Sequence, residues 1–402
     1  MKLGFLSEYF SGVAAKELSA VEANPVRSNQ HELNGVESLK TIFGRATEKQ
    51  RFDAKFIYLC DYEDEPIISE GFVTWYDARK NHPTRSEHRM YFSTTEVSAR
   101  AAEGDVLVIA RQQDGKVLFV FAEAGSTVSN QIHWLFGFPN NAHAGFSVKA
   151  EDDSDKVKLE FASRLILEEI GIEQSQLQAP NFLDLMLDKF GKKFPATRVF
   201  SQFARGTLDL DPREDPDAVL LAWMEREEML FRTLERHIIE ERLQLGFNGD
   251  VDGFIAFSLS VQNRRKSRVG SAFENHIEEV FIHHEIGYDR TKVTENKSKP
   301  DFIFPDIIKY RDPDFPTSRL TMLGVKSTCK DRWRQVLAEA NRIDEKHLLT
   351  LEPGISTNQT DEMRDKGLSL VLPSSLHSSY TPLQRNWLTS IGSFIEVVKE
   401  RQ

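Results

Sequence analysis

Three residues in the second half of the chain have the types and order needed to work on a phosphodiester. Asp301 follows Pro300 at the start of an expected strand, Lys326 ends the next strand, and Glu339 comes on the segment after it. Phosphodiester hydrolysis calls for a hard divalent cation held by carboxylate oxygens. Such a cation stabilises charge on the phosphate and activates water. A neighbouring ammonium orients the nucleophile or offsets the developing charge. Asp301 and Glu339 can supply the oxygens and Lys326 the positive charge. The plainer reading is a strand-borne ion pair of a kind found by chance in many folds.

The elements around these residues have to bring them together. Residues 301–304 and 320–326 read as strands, and 347–351 and 368–372 as short, buried, apolar strands. A helix is expected over 271–285, with Phe273, Ile277, Val280 and Phe281 on one face. Another is expected over 331–345. Its apolar face would be Trp333, Val336, Leu337, Ala340 and Ile343, with Arg332, Gln335, Glu339 and Arg342 opposite. Arg332 and Glu339, two turns apart, would then share a side, joining a metal-ligand carboxylate to an Arg able to bind guanine bidentately. A solvated helix face with ordinary ion pairs explains the same pattern. Residues 214–245 form a long helical pattern with i,i+4 charge pairs. Strands alternating with helices imply an α/β sheet covered on both faces.

The first half reads mostly as β. Residues 105–111 and 116–122 flank Asp114-Gly115 as a hairpin, and 54–60 and 71–76 are further strands. Residues 155–171 have helical spacing that stops at Gly171, and the polar stretch 172–183 reads as a linker.

Composition seems at first to oppose a nucleic-acid substrate. The 402 residues carry 51 Lys and Arg against 62 Asp and Glu, a net charge of −11. The deficit is local, however. Residues 150–190 hold 4 basic and 10 acidic side chains, and 206–253 hold 5 and 13. Residues 79–100 and 261–348 each carry a net +3. A globally acidic body limits non-specific DNA binding while local positive clefts permit specific binding. Length points to two or three domains. No run of eighteen apolar residues suggests a membrane span, and the N-terminal MKLGFLSEYFSG has no long apolar core, so no secretory signal is expected. Two cysteines, Cys60 and Cys329, exclude a disulfide framework and suggest a reducing cytoplasm.

The blocks NRRKSRVGSAFENHIEEVFIHH (263–284), KPDFIFP (299–305), VKSTCKDRWRQVLAEA (325–340) and VLPSSLH (371–377), with DPDAVLL (215–221) upstream, closely resemble the catalytic domain of the EcoRII-like type II (type IIE) restriction endonucleases. The resemblance covers roughly residues 190–400. It implies a homodimeric, Mg²⁺-dependent nuclease with the PD-(D/E)XK core, in the cytoplasm of a bacterium or archaeon, with a DNA methyltransferase as genetic companion. The usual pattern places the second carboxylate two residues before the Lys, where this chain has Gly324. Relatives of this branch draw it from the downstream helix instead. The implied catalytic residues are Glu274, Asp301, Tyr310, Lys326 and Glu339, with Asp301 and Glu339 as metal ligands. Lys330, Asp331 and Arg332, with Arg334 beside them, resemble the base-reading element. Arg264, Arg265, Lys266 and Arg268 would contact DNA. The family reads CCWGG-type sites, flips out the central base pair and cuts before the first C.

The N-terminal half resembles, more weakly, the effector domain of the same family. Its best blocks are WYDARKNHPTRSEHRMYFS (75–93) and SNQHELNG (28–35). They imply a pseudobarrel like that of plant B-three transcription factors, gripping DNA through Thr84, Arg85, Glu87, Arg89 and His31. The expected organisation is an effector DNA-binding domain over 1–173, a linker over 174–182 and a catalytic domain over 183–402. The implied activity is double-strand cutting stimulated by a second copy of the site, with the effector domain closing the catalytic cleft until that copy binds. A non-cleaving sequence-specific DNA-binding protein and a repair-type nicking endonuclease are the alternatives. His283-His284-Glu285 reads as a helix-end cluster, and Cys329 and Trp333 as packing. The PSSLH segment has no evident physical role.

Overall fold

The structure, a computed structural model, describes residues 9–23, 31–63, 66–138, 147–150, 163, 166–167, 180–329 and 332–402. Two compact units are present: residues 1–175 with 353–357, and residues 176–352 with 358–402. Of the expected helix over 155–171 only Ser163, Ile166 and Leu167 are described, and they are helical and buried; the rest of it and most of the expected linker lie outside the described residues. Among the described residues no helix is long and apolar enough to cross a membrane.

The first unit contains strands β1 (Phe10–Glu17), β2 (Glu32–Gly35), β3 (Gln50–Leu59), β4 (Ile67–Asp77), β5 (His88–Phe92), β6 (Val106–Gln112), β7 (Val117–Ala122) and β8 (Ser147–Ala150). Helices α1 (Ala20–Ala23), α2 (Glu37–Phe43), α3 (Glu96–Arg100) and α4 (Thr127–Leu135) accompany them. The strands form one sheet in the order β2-β5-β4-β3-β7-β6-β1-β8. The β3–β7 pair is parallel and its neighbours are antiparallel.

The β6–β7 hairpin turns where the sequence indicated. Asp114 Oδ1 accepts the Lys116 N–H at 3.0 Å, and Gly115 adopts φ 88°, a conformation open to glycine. Along these strands Val106, Val108, Ala110, Leu118, Val120 and Ala122 enter a core with Ile132 and Leu135 of α4. The intervening Leu107, Ile109, Val117, Phe119 and Phe121 enter another with Phe43, Trp75 and Phe92. Burial on both faces explains why the strands read as unbroken apolar runs.

The second unit begins with helices α5 (Pro180–Phe190), α6 (Thr197–Arg205), α7 (Pro216–Leu245) and α8 (Val251–His283). It continues through β9 (Asp289–Arg290), β10 (Phe302–Phe304), α9 (Ile307–Arg311), β11 (Thr321–Lys326), α10 (Trp333–Leu337) and β12 (Lys346–Thr350). It ends with α11 (Thr357–Asp365), β13 (Leu368–Val371), α12 (Pro382–Arg385) and α13 (Ile391–Arg401). The sheet order is β13-β12-β11-β10-β9, with β9, β10 and β11 antiparallel and β11, β12 and β13 parallel. Phe281 of α8 packs its ring 5.3 Å from both Phe302 and Phe304 and 6.3 Å from Phe394 of α13.

Asp217, in the DPDAVLL block, ties the two ends of this unit together. Its Oδ1 accepts N–H groups from Ser374 at 2.9 Å and Ile391 at 3.0 Å, and its Oδ2 accepts that of Gly392 at 3.0 Å. The PSSLH segment, a 3₁₀ turn over Ser374–Ser379, thus has a structural role: it docks on the start of α7.

Two expected helices differ. The 271–285 helix is the last third of α8, which starts at Val251. The 331–345 helix is only the five residues of α10. The backbone leaves the helix before Glu339, and Ala340 adopts φ 47°. Lys346, buried on β12, holds this turn by donating to the carbonyls of Ala340 at 3.3 Å and Ile343 at 2.7 Å. Trp333, Val336, Ala340 and Ile343 are nevertheless all buried.

Candidate active site

Antiparallel pairing of β10 with β11, with Phe302 opposite Leu323, sets the residue before β10 beside the last residues of β11. Asp301 Oδ2 accepts the Val325 backbone N–H and the Lys326 ammonium, each at 2.7 Å. Both donors converge on one oxygen. Asp301 is nearly buried and Lys326 partly so.

Glu339 is the third member. Burial, and then the Asp301 carboxylate, push its pKa up to about 7, with Lys326 and Lys346 opposing the rise. Its Oε2 is buried and makes no hydrogen bond. A buried carboxylate oxygen without a donor is costly, and two carboxylates repelling one another suit a cation between them. Among the described residues no cluster of three or more His, Cys, Asp or Glu side chains could hold a metal. A magnesium-type ion, which keeps several waters and takes one or two protein carboxylates, fits the pair.

Gly324 explains why the second carboxylate is not on β11. A Cβ there would lie 2.8 Å from Val336 Cγ2 and 3.1 Å from Cγ1. The space a side chain would need is filled by α10, the helix that leads on to Glu339. Val336 was expected on the apolar face, but not its place against Gly324, and Lys346 was not singled out; the glycine two residues before a functional lysine was the available signal.

The structure does not join the other expected catalytic residues to this trio. Glu274 pairs with Arg290 at 2.7 Å. Arg290 also binds Glu278 at 2.8 Å and Asn275 at 3.0 Å. Tyr310 is buried and donates to Glu295 Oε2 at 2.6 Å, and burial and Glu295 raise its pKa. Its hydroxyl therefore anchors Glu295, which also accepts the Asn341 N–H at 3.3 Å.

The expected shared face of Arg332 and Glu339 is overturned, because α10 ends between them. Arg332 is exposed at the start of α10. Arg334 is exposed, bonded to Glu362 at 3.0 Å and stacked on Trp333. Lys330 and Asp331 lie outside the described residues. Cys329 and Trp333 are buried as packing residues, and the Cys329 N–H donates to the buried carboxylate of Glu352. His283 and His284 engage different carbonyls, those of Glu279 and Pro212.

The basic run at 264–268 lies within α8 rather than before a helix, so its members diverge. Arg268 is buried, with its guanidinium 4.9 Å from the Phe200 ring and 4.6 Å from Phe231. Nη1 donates to Pro195 O at 3.0 Å. It is a packing residue and not a DNA contact. Arg265 pairs with Glu235 at 2.7 Å and Arg264 covers Phe194 at 4.1 Å. Lys266 is exposed.

In the first unit Arg89 bridges Glu32 at 2.7 Å and Glu87 at 2.5 Å. Arg79 also binds Glu87, and Tyr76 donates to Glu32. Thr84 and Arg85 are exposed, their N–H groups turned to His82 Nδ1. His31 is corrected: its side chain is buried against Phe92, with ring centroids 4.9 Å apart, and burial lowers its pKa.

Residues 231–395, which contain the Asp301, Lys326 and Glu339 cluster, match the family model described as EcoRII C terminal. This segment is similar to the EcoRII C-terminal domain. The chain is 42% identical over 220 residues to the Type II restriction enzyme EcoRII of Escherichia coli. That match covers 54% of each protein, so the chain spans about half the length of the curated relative. Among solved structures, metal-depleted Ecl18kI in complex with uncleaved, modified DNA has a TM-score of 0.46 and 18% identity, covering 56% of this chain and 85% of that one. The restriction endonuclease PspGI–substrate DNA complex has a TM-score of 0.44 and 16% identity, covering 52% and 93%. Within the matched segment, Gly324 leaves no room for a side chain beside Val336, and Glu339 brings a carboxylate near Asp301 and Lys326 from beyond α10.

Proposed function

We propose that the chain is a type II restriction endonuclease of the EcoRII kind. It acts as a homodimer that cuts both strands of DNA at a CCWGG-type site, with Mg²⁺ as cofactor and a second copy of the site as effector. The observation that carries the reading is the buried, unpartnered Glu339 oxygen beside the Asp301–Lys326 pair.

In this reading Asp301 and Glu339 hold the cation. Bound there, the ion supplies charge neutralisation and an activated water. Lys326, fixed by Asp301, presents its ammonium to the scissile phosphate and orients the attacking water. The Val325 N–H fixes the Asp301 carboxylate so that the pair needs little rearrangement when DNA arrives. Glu274 acts on this site through Arg290, which pairs with Phe302 next to Asp301. Arg332 and Lys266 are exposed and available to DNA, and Arg334 would exchange its Glu362 partner for DNA. The first unit, as a pseudobarrel, takes the effector site through the exposed loop that carries Thr84 and Arg85, with Glu87 and Arg89 at its base.

The test is incubation of the full chain with Mg²⁺ and plasmids bearing one or several CCWGG sites, followed by sequencing of the ends. Linear product with ends at the site, absent for Asp301→Ala, is expected. If every CCNGG-type substrate stays intact, or if Asp301→Ala cleaves like the wild type, the reading fails.

A further inference from the structure

The turn that presents Glu339 is held at its backbone by side chains from other elements. Once α10 ends at Leu337, the peptide groups that follow have no helical partners and must find others. Ser298 Oγ donates to the Ala338 carbonyl at 3.4 Å. Glu295 Oε2 accepts the Asn341 N–H at 3.3 Å, and the Tyr310 hydroxyl oxygen accepts that of Arg342 at 3.4 Å. Lys346 takes the carbonyls of Ala340 and Ile343. Among these ties sits Ala340, buried and at φ 47°, a region costly for a residue with a Cβ. Such a conformation persists only where its surroundings over-determine it.

Glu295 has a particular place among these partners. It opens the 3₁₀ turn over Glu295–Lys297, in the connection from β9 to β10 that leads to Asp301. The Thr294 N–H closes that connection on Ser298 O at 2.9 Å, and the Thr291 N–H joins it to the Asp301 carbonyl at 3.1 Å. Glu295 therefore belongs to the segment of one carboxylate while its side chain holds the turn of the other. Its Oε2 also takes the Tyr310 hydroxyl proton at 2.6 Å, so both donors meet one oxygen. The Arg342 guanidinium fastens the turn to the same Tyr310 region, through the carbonyls of Asp312 at 2.8 Å and Phe315 at 3.0 Å. Glu295 does not itself join the ligands: among the described residues, no third His, Cys, Asp or Glu completes a metal-holding group with Asp301 and Glu339.

We propose that Glu295 is a positioning residue for the cation: it braces the Glu339 turn against the Asp301 segment and so sets the gap between the two carboxylates. The inference rests on the reading of Asp301 and Glu339 as metal ligands. Glu295 acts as a hydrogen-bond acceptor and not by its charge, because a single oxygen takes both donors and the amide oxygen of a Gln can stand in its place. Support of this kind behind a metal ligand is worth about 10–100-fold in affinity.

The experiment follows the thermal midpoint of the full chain, without DNA, as Mg²⁺ is titrated. The half-saturating concentration is taken relative to each protein's own metal-free midpoint, and circular dichroism confirms folding. Glu295→Ala should raise that concentration by about tenfold or more, whereas Glu295→Gln should stay near the wild type. Tyr310→Phe removes a donor from the same oxygen and should weaken the cation too. Added to Glu295→Ala, it should cost little more than Glu295→Ala alone. If Glu295→Ala does not fold, Tyr310→Phe reads the same link, and an unchanged value there overturns the proposal. An unchanged value in folded Glu295→Ala, a Glu295→Gln as weak as Glu295→Ala, or fully multiplicative losses in the double variant would each overturn it as well. A wild type that responds to Mg²⁺ no more than Glu339→Gln does would instead remove the ligand reading itself, and the proposal with it.

Discussion

Lys326 and Asp301 meet across two antiparallel strands, with Nζ donating to Oδ2 at 2.7 Å while the same oxygen takes the Val325 N–H at 2.7 Å. The ammonium is thereby held in place by the backbone hydrogen bond as well as by the ion pair. Asp301→Asn can keep the Val325 bond but loses the charge. Cleavage should fall by roughly 10²–10³-fold or more, the range for losing one electrostatic stabiliser of a transition state. Metal-free DNA binding, followed by gel shift, should change little. Equal losses of binding and cleavage would make the pair structural.

Glu339 gives an independent readout of the cation. A ligand that binds only the folded state raises stability by mass action. Adding Mg²⁺ or Ca²⁺ should therefore raise the thermal midpoint of the wild type. Glu339→Gln removes the orphaned carboxylate without changing its shape, and should abolish both the metal-induced shift and cleavage. A variant that retains the full metal shift would show that Glu339 is not a ligand.

Gly324 and Val336 make a steric prediction. A methyl at 324 would sit 2.8 Å from Val336 Cγ2, and overpacking of this kind costs about 1–3 kcal/mol. Gly324→Ala should lower the urea midpoint accordingly. Combining it with Val336→Ala should cost less than the sum of the two single changes. Wild-type stability for Gly324→Ala would contradict the packing argument for the displaced carboxylate.

The strands that carry the site were legible because they are buried and mostly apolar, Phe302–Phe304 wholly so and Thr321–Lys326 through Met322, Leu323 and Val325. Residues 301–304 and 320–326 correspond to β10 and β11 almost to the residue. The helix over 331–345 was not, although its apolar positions were right. Spacing reports which residues are buried, whereas continuation of a helix depends on backbone hydrogen bonds. Here Lys346, the first residue of β12 and the next after the expected helix, takes the carbonyls of Ala340 and Ile343. The basic run at 264–268 failed for a related reason. Charge is visible in a sequence, but the face a residue occupies depends on where its helix begins, and α8 begins twenty residues before the expected start. The PSSLH segment had no role until Asp217 supplied its partner, some 157 positions away.

His347 provides a pH test of the same sheet. It is buried on β12, its ring 5.1 Å from that of Phe394, and burial lowers its pKa to about 4, with Glu345 opposing and Arg401 assisting. Between the ordinary value of 6.5 and about 4, the unfolded chain takes up a proton that the fold refuses. Stability therefore rises with pH across that window and is lost as pH falls through it. Burial lowers His31, His133 and His276 in the same direction, so the wild type should weaken steeply below pH 6.5. His347→Gln, which cannot titrate, should show a shallower fall in urea midpoint over the same window. Parallel curves for the two proteins would mean that His347 titrates alike in the folded and unfolded states, and that its burial is not felt as charge.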